Sequence, residues 1–298
     1  MAVVGTRYAS GFSSVQSVGT LIHAGLLAQG WDIQFANTGA VGSGNSTSPS
    51  WDSTNYANSP AGRVIYRMPA FGVLTRWFVQ IEFFWRQNTV IIDYNITIGT
   101  GVTSGVLLNP GLTYGGNAVT AGMATSNGDS WLSFWEHGFL FGVCGASYTF
   151  YSGFERRRDF SGNIQDDCVM YALSAAAGLN IGGAAGNSDN LVRSFSVGER
   201  TIQPLGIMIG QRTTVGIDNG RTITTFNQPS GNIGFPMGFY TTSGGLGGML
   251  RLAQLWWSTD SNNIASQDVY VDGVARQYFG INIALIAPNG QRILLAQN

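Results

Sequence analysis

The chain contains no lysine. All 15 of its cations are arginine, and with 16 carboxylates only 10% of its 298 residues carry charge, where an average soluble domain has roughly 25%. The formal net charge is -1, and apart from Arg156, Arg157 and Arg158 the arginines are scattered. No field is available to neutralise phosphates, so nucleic acid is not expected as a main partner. Histidine is nearly absent too, with His23 and His137 alone. No GxSxG elbow and no HExxH pair accompanies them, so the usual nucleophilic and zinc machinery is not expected. The glycine strings Gly182-Gly183 and Gly244 to Gly248 lack the lysine of a phosphate loop. Cys144 and Cys168 have no cluster of further ligands nearby and are read as two buried free thiols. No run of 18 apolar residues is unbroken, and the start MAVVGTRYASGF lacks a basic region followed by an apolar one. Neither a membrane span nor a signal peptide is expected, and no cofactor or metal is implied.

What is present is glycine and apolar surface. The 42 glycines are about twice the usual share, and 44% hydrophobic with 12% aromatic residues is ample for one large core or two smaller ones. Disorder and a coiled coil are therefore not expected. A GC-rich genome is an incomplete account of the missing lysine, because the chain also carries 21 Asn and 21 Ile, whose codons are AT-rich. Arginine outperforms lysine where side chains are partly desolvated, because its planar fork makes several hydrogen bonds. A low-charge, arginine-only surface therefore suits contacts between subunits.

SSVQSVGTLIHAGLLAQGW places Val15, Val18, Ile22 and Leu26 on one helical stripe, with Ser13 or Ser14 as cap and Gly30 as left-handed stop. His23 beside the stripe is read as structural. Trp31, Ile33 and Phe35 then alternate with Asp32 and Gln34 as a half-buried strand. From Thr38 to Pro60 the Gly/Ser/Asn-rich chain reads as a long loop, either pinned by Trp51 and Tyr56 or an arm that orders on a neighbour. GRVIYRM is a strand, and Gln87-Asn88 breaks a long antiparallel hairpin with Trp77, Val79, Ile81 and Phe83 on one face. WLSFWEHGFLFGV, YTFYSGF, CVMYALSAA, RTTVGI, RTITTF, MLRLAQLWW and VYV all read as strands. Asp218-Asn219-Gly220, Asp272-Gly273 and Pro288-Asn289-Gly290 are turn signals, and the last thirty residues are a three-strand meander. The pattern predicts a mainly β fold of antiparallel sandwich or barrel-like sheets with one short N-terminal helix. Residues 174–190 form a second Gly-rich loop. A soft boundary near 190 divides residues 1–190, the helix plus a β domain, from the hairpin domain 191–298; a single β domain is the alternative.

Glu155-Arg156-Arg157-Arg158-Asp159 is the densest charge cluster. Its flanking acids nearly cancel the arginines, which points to salt bridges within the loop or across a subunit contact rather than to phosphate. Asp166 and Asp167 are adjacent, so on a strand they face opposite sides and make no glycosidase pair. Of Trp256 and Trp257 one faces the core and the other a surface or interface, for glycan or protein. Candidate contact residues are thus Arg156, Arg157, Arg158, Trp51, Tyr56, Trp256 and Trp257.

The order of these features is a helix ending in LLAQGW, an alternating strand, a Gly/Ser loop, long aromatic strands, an arginine-bearing FYSGFERRRDF turn, and closing hairpins with ARQYFGINIALIAPNGQRILL. This order resembles the structural proteins of tailed-bacteriophage virions. Three arginines stand where a more neutral turn is expected, and no functional residue carries over. The resemblance implies a non-enzymatic virion component of the tail, baseplate or tail-fibre apparatus, made in the host cytoplasm and working in symmetric copies. Its partners would be other copies of itself and other virion proteins. A capsid decoration or coat component and a module binding host-surface glycan are the alternatives.

Overall fold

The computed structural model describes residues 3–8, 15–38, 60–86, 91–110, 113–114, 123–124, 128–145, 149–159, 161–174, 191–195, 203–206, 233–241, 248–257, 266–271, 274–282 and 291–296. The long loops expected at 38–60 and 174–190, the RTTVGI/RTITTF hairpin with its Asp218-Asn219-Gly220 turn, the Pro288-Asn289-Gly290 turn, and Trp51 and Tyr56 lie wholly or mostly outside them.

The chain is mainly β. Strand β1 (Val4–Tyr8) precedes helix α1 (Val15–Ala28), followed by β2 (Asp32–Thr38), β3 (Pro60–Arg67), β4 (Phe78–Arg86) and β5 (Ile91–Gly99). A small hairpin of β6 (Gly101–Thr103) and β7 (Val106–Leu108) comes next, then the short β8 (Thr113–Tyr114) and β9 (Met123–Ala124). The remainder is β10 (Gly128–Trp135), β11 (Gly138–Gly145), β12 (Thr149–Arg158), β13 (Ile164–Ser174), β14 (Leu191–Phe195), β15 (Gln203–Gly206), β16 (Ile233–Thr241), β17 (Gly248–Trp257), β18 (Ser266–Val271), β19 (Val274–Asn282) and β20 (Gln291–Ala296).

Two antiparallel sheets dominate. The smaller runs β2-β3-β4-β5-β8, with β9 also on β5; the larger is 12-stranded, β1-β10-β11-β12-β13-β14-β15-β16-β17-β20-β19-β18. It continues across residue 190, where β13 pairs β14. An additional pairing, Arg158 opposite Met249, joins β12 to β17 and closes the strands from β12 to β17 into a barrel-like ring. In the closing meander β18-β19-β20 Val271 pairs Val274, and the Asp272-Gly273 turn signal lies outside the described residues.

Helix α1 and both sheets bury one core. Val18, Ile22 and Leu26 of the helical stripe meet Val79, Ile81 and Phe83 of β4 and Leu132, Phe134, Phe139 and Phe154 of the larger sheet. The approach is close enough at Gly25 that a Cβ there would run into the Phe134 ring. The helix ends in a Schellman cap. Trp31 N–H bonds to Leu26 carbonyl at 3.1 Å and Gly30 N–H to Leu27 at 2.9 Å, with Gly30 at φ 79°. The face Trp77, Val79, Ile81, Phe83 is buried throughout, as its alternation predicts.

Three local expectations are corrected. First, Phe35 does not continue the face of Trp31 and Ile33. A bulge between Ile33 and Phe35 shifts the register, so Ala36 enters the main core while Phe35 joins Ile65 and Leu107 in a second cluster under the β6–β7 hairpin. Second, WLSFWEHGFLFGV is two strands, not one. Trp135 pairs Gly138 around the turn Glu136-His137, and glycine is needed at 138 because a Cβ there would strike Phe154 carbonyl and Glu155 on β12. Third, the arginine triplet is no turn: Arg156, Arg157 and Arg158 end strand β12.

Candidate functional site

Strand β12 is flanked by two irregularities at the point where its charges fall. On one side, Arg156 opposes Cys168 and Arg158 opposes Ile164, so residues 165–167 of β13 bulge opposite Arg157 alone. On the other, β16 pairs Pro236 with Gln254 and Gly238 with Met249, which leaves residues 250–253 of β17 looped out opposite Met237. Bulges free backbone and side-chain groups from the ladder, and buried groups so freed need other partners.

The cluster Glu155-Arg156-Arg157 supplies them. Glu155, fully buried, accepts the Arg251 N–H at 2.8 Å and the Leu252 N–H at 3.1 Å on its carboxylate. Consecutive N–H groups converging on one anion form a backbone nest, here filled from within the chain. Arg156, the largest fully buried charged side chain, donates from Nη1 to Asp166 carbonyl at 3.2 Å and lies 3.4 Å from its carboxylate. Its Nη2 donates to Thr75 carbonyl. Arg157 turns the other way and donates from Nε to Asp167 at 2.7 Å. Asp166 and Asp167 do face opposite sides, and each takes the arginine on its own side.

Asp166 also holds the β3–β4 connection against β13. It accepts Thr75 N–H at 2.6 Å and Thr75 hydroxyl at 3.0 Å, while its carbonyl accepts Trp77 Nε1 at 2.7 Å. On the far side of that connection, Asp32 accepts Arg67 Nη2 at 2.7 Å and Arg76 Nη2 at 2.8 Å. These two guanidinium groups hold its carboxyl below the usual carboxylate range, Arg67 foremost. Asp159 closes the β12–β13 turn by accepting Ser161 and Asn163 N–H groups, both at 2.9 Å.

His137 sits behind this network. The rings of Trp135 and Phe71 stand nearly perpendicular to its own at 4.7 and 4.6 Å between centroids, and its carbonyl accepts Arg156 N–H at 2.8 Å. Burial lowers its pKa to about 4; Glu136 opposes that shift, and the cations Arg156 and Arg251 reinforce it. Arg251 lies over the Trp135 ring at 4.7 Å.

The arginines whose burial is described are Arg63, Arg67, Arg76, Arg156, Arg157, Arg158 and Arg251, and each is buried or half-buried within the single chain. Arg63 lies over Phe35 at 5.0 Å. Forks that bridge two acceptors and flat cations that cover rings are tasks for guanidinium rather than ammonium. For these seven the desolvation is intramolecular, a source the subunit-contact reading of the composition left out.

Of the candidate contact residues, Arg156 and Arg157 are thus brought together with Glu155, Asp166 and Asp167, and Arg158 sits at the β12–β17 junction. Trp256 lies between Gly234 and Arg292, and Trp257 between Ile233 and Gln291, in the β16-β17-β20 ladder; their side chains are outside the described set. Sequence reading missed Thr75, Trp77 and Arg251 as members of this cluster, because they arrive from segments distant in the chain. Among the described residues no group of three or more His, Cys, Asp and Glu could hold a metal, and no helix is long and apolar enough to cross a membrane. In comparison with known proteins, no family model and no curated sequence matches this chain.

Proposed function

We propose that the chain is a non-enzymatic structural subunit of a tailed-bacteriophage virion, belonging to the tail, baseplate or tail-fibre apparatus and working in symmetric copies. The observation that carries this reading is the use of charge. The densest ionic cluster is engaged in joining β12 to β13, β17 and the β3–β4 connection, so its groups serve rigidity. Large apolar side chains are meanwhile exposed on two projections, Phe71 and Val73 between β3 and β4, and Val106 and Leu108 on the β6–β7 hairpin. A rigid, low-charge β body with apolar projections suits a subunit that buries surface against neighbours. The feature order quoted above supplies the virion assignment.

Native mass spectrometry of the full chain, with immuno-electron microscopy of particles, tests it. Discrete oligomers and label on the tail are expected. A monomer that binds no other virion protein contradicts the proposal. Label on the head favours a coat or decoration role, and glycan-array hits by the intact oligomer favour a receptor module.

A further inference from the structure

The segment between β3 and β4 is firmly held at its base and almost free at its tip. Met68 N–H bonds to Trp77 carbonyl at 2.9 Å, and Thr75 and Arg76 are fixed by Asp166 and Asp32. Residues 70–73 are exposed, Val73 completely. Among the described residues the hydrogen bond of the tip is its own, from Leu74 N–H to Phe71 carbonyl at 3.1 Å. The Phe71 ring against His137 joins the tip to the body.

The His137 side chain is 2% exposed, and its Nδ1 has no hydrogen-bond partner. The charged groups bearing on it are Glu136, with Oε1 3.9 Å from Nε2, Arg156 of β12 and Arg251 of β17. Residues 68–75 add no charge. A proton on this ring would thus create a buried cation with one carboxylate set against the two cations Arg156 and Arg251. The turn that carries His137 cannot easily swing out. Trp135 pairs Gly138, Trp135 carbonyl accepts Trp31 Nε1 at 3.1 Å, and His137 carbonyl accepts Arg156 N–H. The side able to yield is the Phe71 tip.

We propose that His137 is an acid-sensitive latch for the 69–74 loop: neutral, it seats Phe71; protonated, it drives the tip off and reaches solvent. The direction follows from linkage. The ring titrates near 4 when covered and near 6.5 when solvated, so the open population rises as pH falls through that window, on the order of 50-fold between pH 7.5 and 4.5.

Hydrogen exchange on the full chain, corrected for intrinsic rates, reads this at the Leu74 amide, whose acceptor is Phe71 itself. Protection there should fall on the order of 50-fold from pH 7.5 to 4.5, with the Val79 and Ile81 amides of β4 unchanged, and should stay nearly flat in His137→Gln. An equal fall in that variant would make a carboxylate such as Asp166 the sensor and overturn the proposal, as would unchanged protection in the parent chain. Should His137→Gln fail to fold, an NMR titration of His137 in Phe71→Ala decides: its pKa should rise from about 4 toward 6.5, and an unmoved value refutes the coupling.

Discussion

Replacing Glu155 by alanine exposes how far the β17 bulge depends on one carboxylate. Glu155 is fully buried and receives the Arg251 and Leu252 N–H groups at 2.8 and 3.1 Å. The variant strands both donors, and each buried unsatisfied group costs about 1–3 kcal/mol, so the expected loss is about 2–6 kcal/mol. That is a large part of the roughly 5–15 kcal/mol that stabilises an ordinary domain. Glu155→Gln keeps one acceptor oxygen but buries an amide NH2 in place of the anion, and should lose about half as much. Urea unfolding followed by fluorescence measures both, as a lower midpoint at unchanged slope. Exchange at Arg251 and Leu252 amides should accelerate ahead of the rest of β17. A Glu155→Ala protein within about 0.5 kcal/mol of the parent, the range of ordinary surface substitutions, would refute the claim that this side chain fills the nest.

Three further outcomes follow from the same contacts. Arg156→Lys cannot span Asp166 and Thr75 at once, and should cost about 1–3 kcal/mol in the same unfolding assay; equal stability would contradict the bridging role. Gly25→Ala drives a methyl into the Phe134 ring and should lower the thermal midpoint, with a cost of about 1–3 kcal/mol. Asp32→Asn weakens the Arg67 and Arg76 ties, but the aspartate side chain is 46% exposed, so solvent screening limits the loss to about 1 kcal/mol. Because the Asp32 pKa is depressed in the fold, that contribution is present above its ordinary value of 3.8 and disappears as pH falls through the folded value. An acid titration of parent and variant should therefore converge below that point.

Elements whose logic is local were legible in the sequence. The 3.6-residue stripe of α1, the Gly30 stop and the alternating face from Trp77 to Phe83 each follow from neighbours a few residues apart. The charged triplet was misread as a turn for an equally physical reason. A run of charges on a strand looks solvated unless bulges on adjoining strands supply acceptors and donors, and those bulges arise at residues 165–167 and 250–253, one of them some 95 residues away. The same holds for Phe35, whose face is inverted by a bulge that no hydropathy pattern marks. Strand pairings such as β1 with β10 and β12 with β17 join distant parts of the chain, and local pattern says nothing about them. The flanking acids Glu155 and Asp159 were the partners that the sequence offered, whereas Arg156 and Arg157 reach Asp166 and Asp167.

On the proposed reading, the Glu155–Arg158 charges stabilise the chain from within and leave assembly to other surfaces. A high-resolution electron-microscopy map of the assembled protein tests it most directly. Several symmetric copies are expected, with Glu155 on the Arg251 and Leu252 amides and Arg156 between Asp166 and Thr75 inside each one. A map in which Arg156 and Arg157 instead reach carboxylates or carbonyls of a neighbouring copy would contradict it.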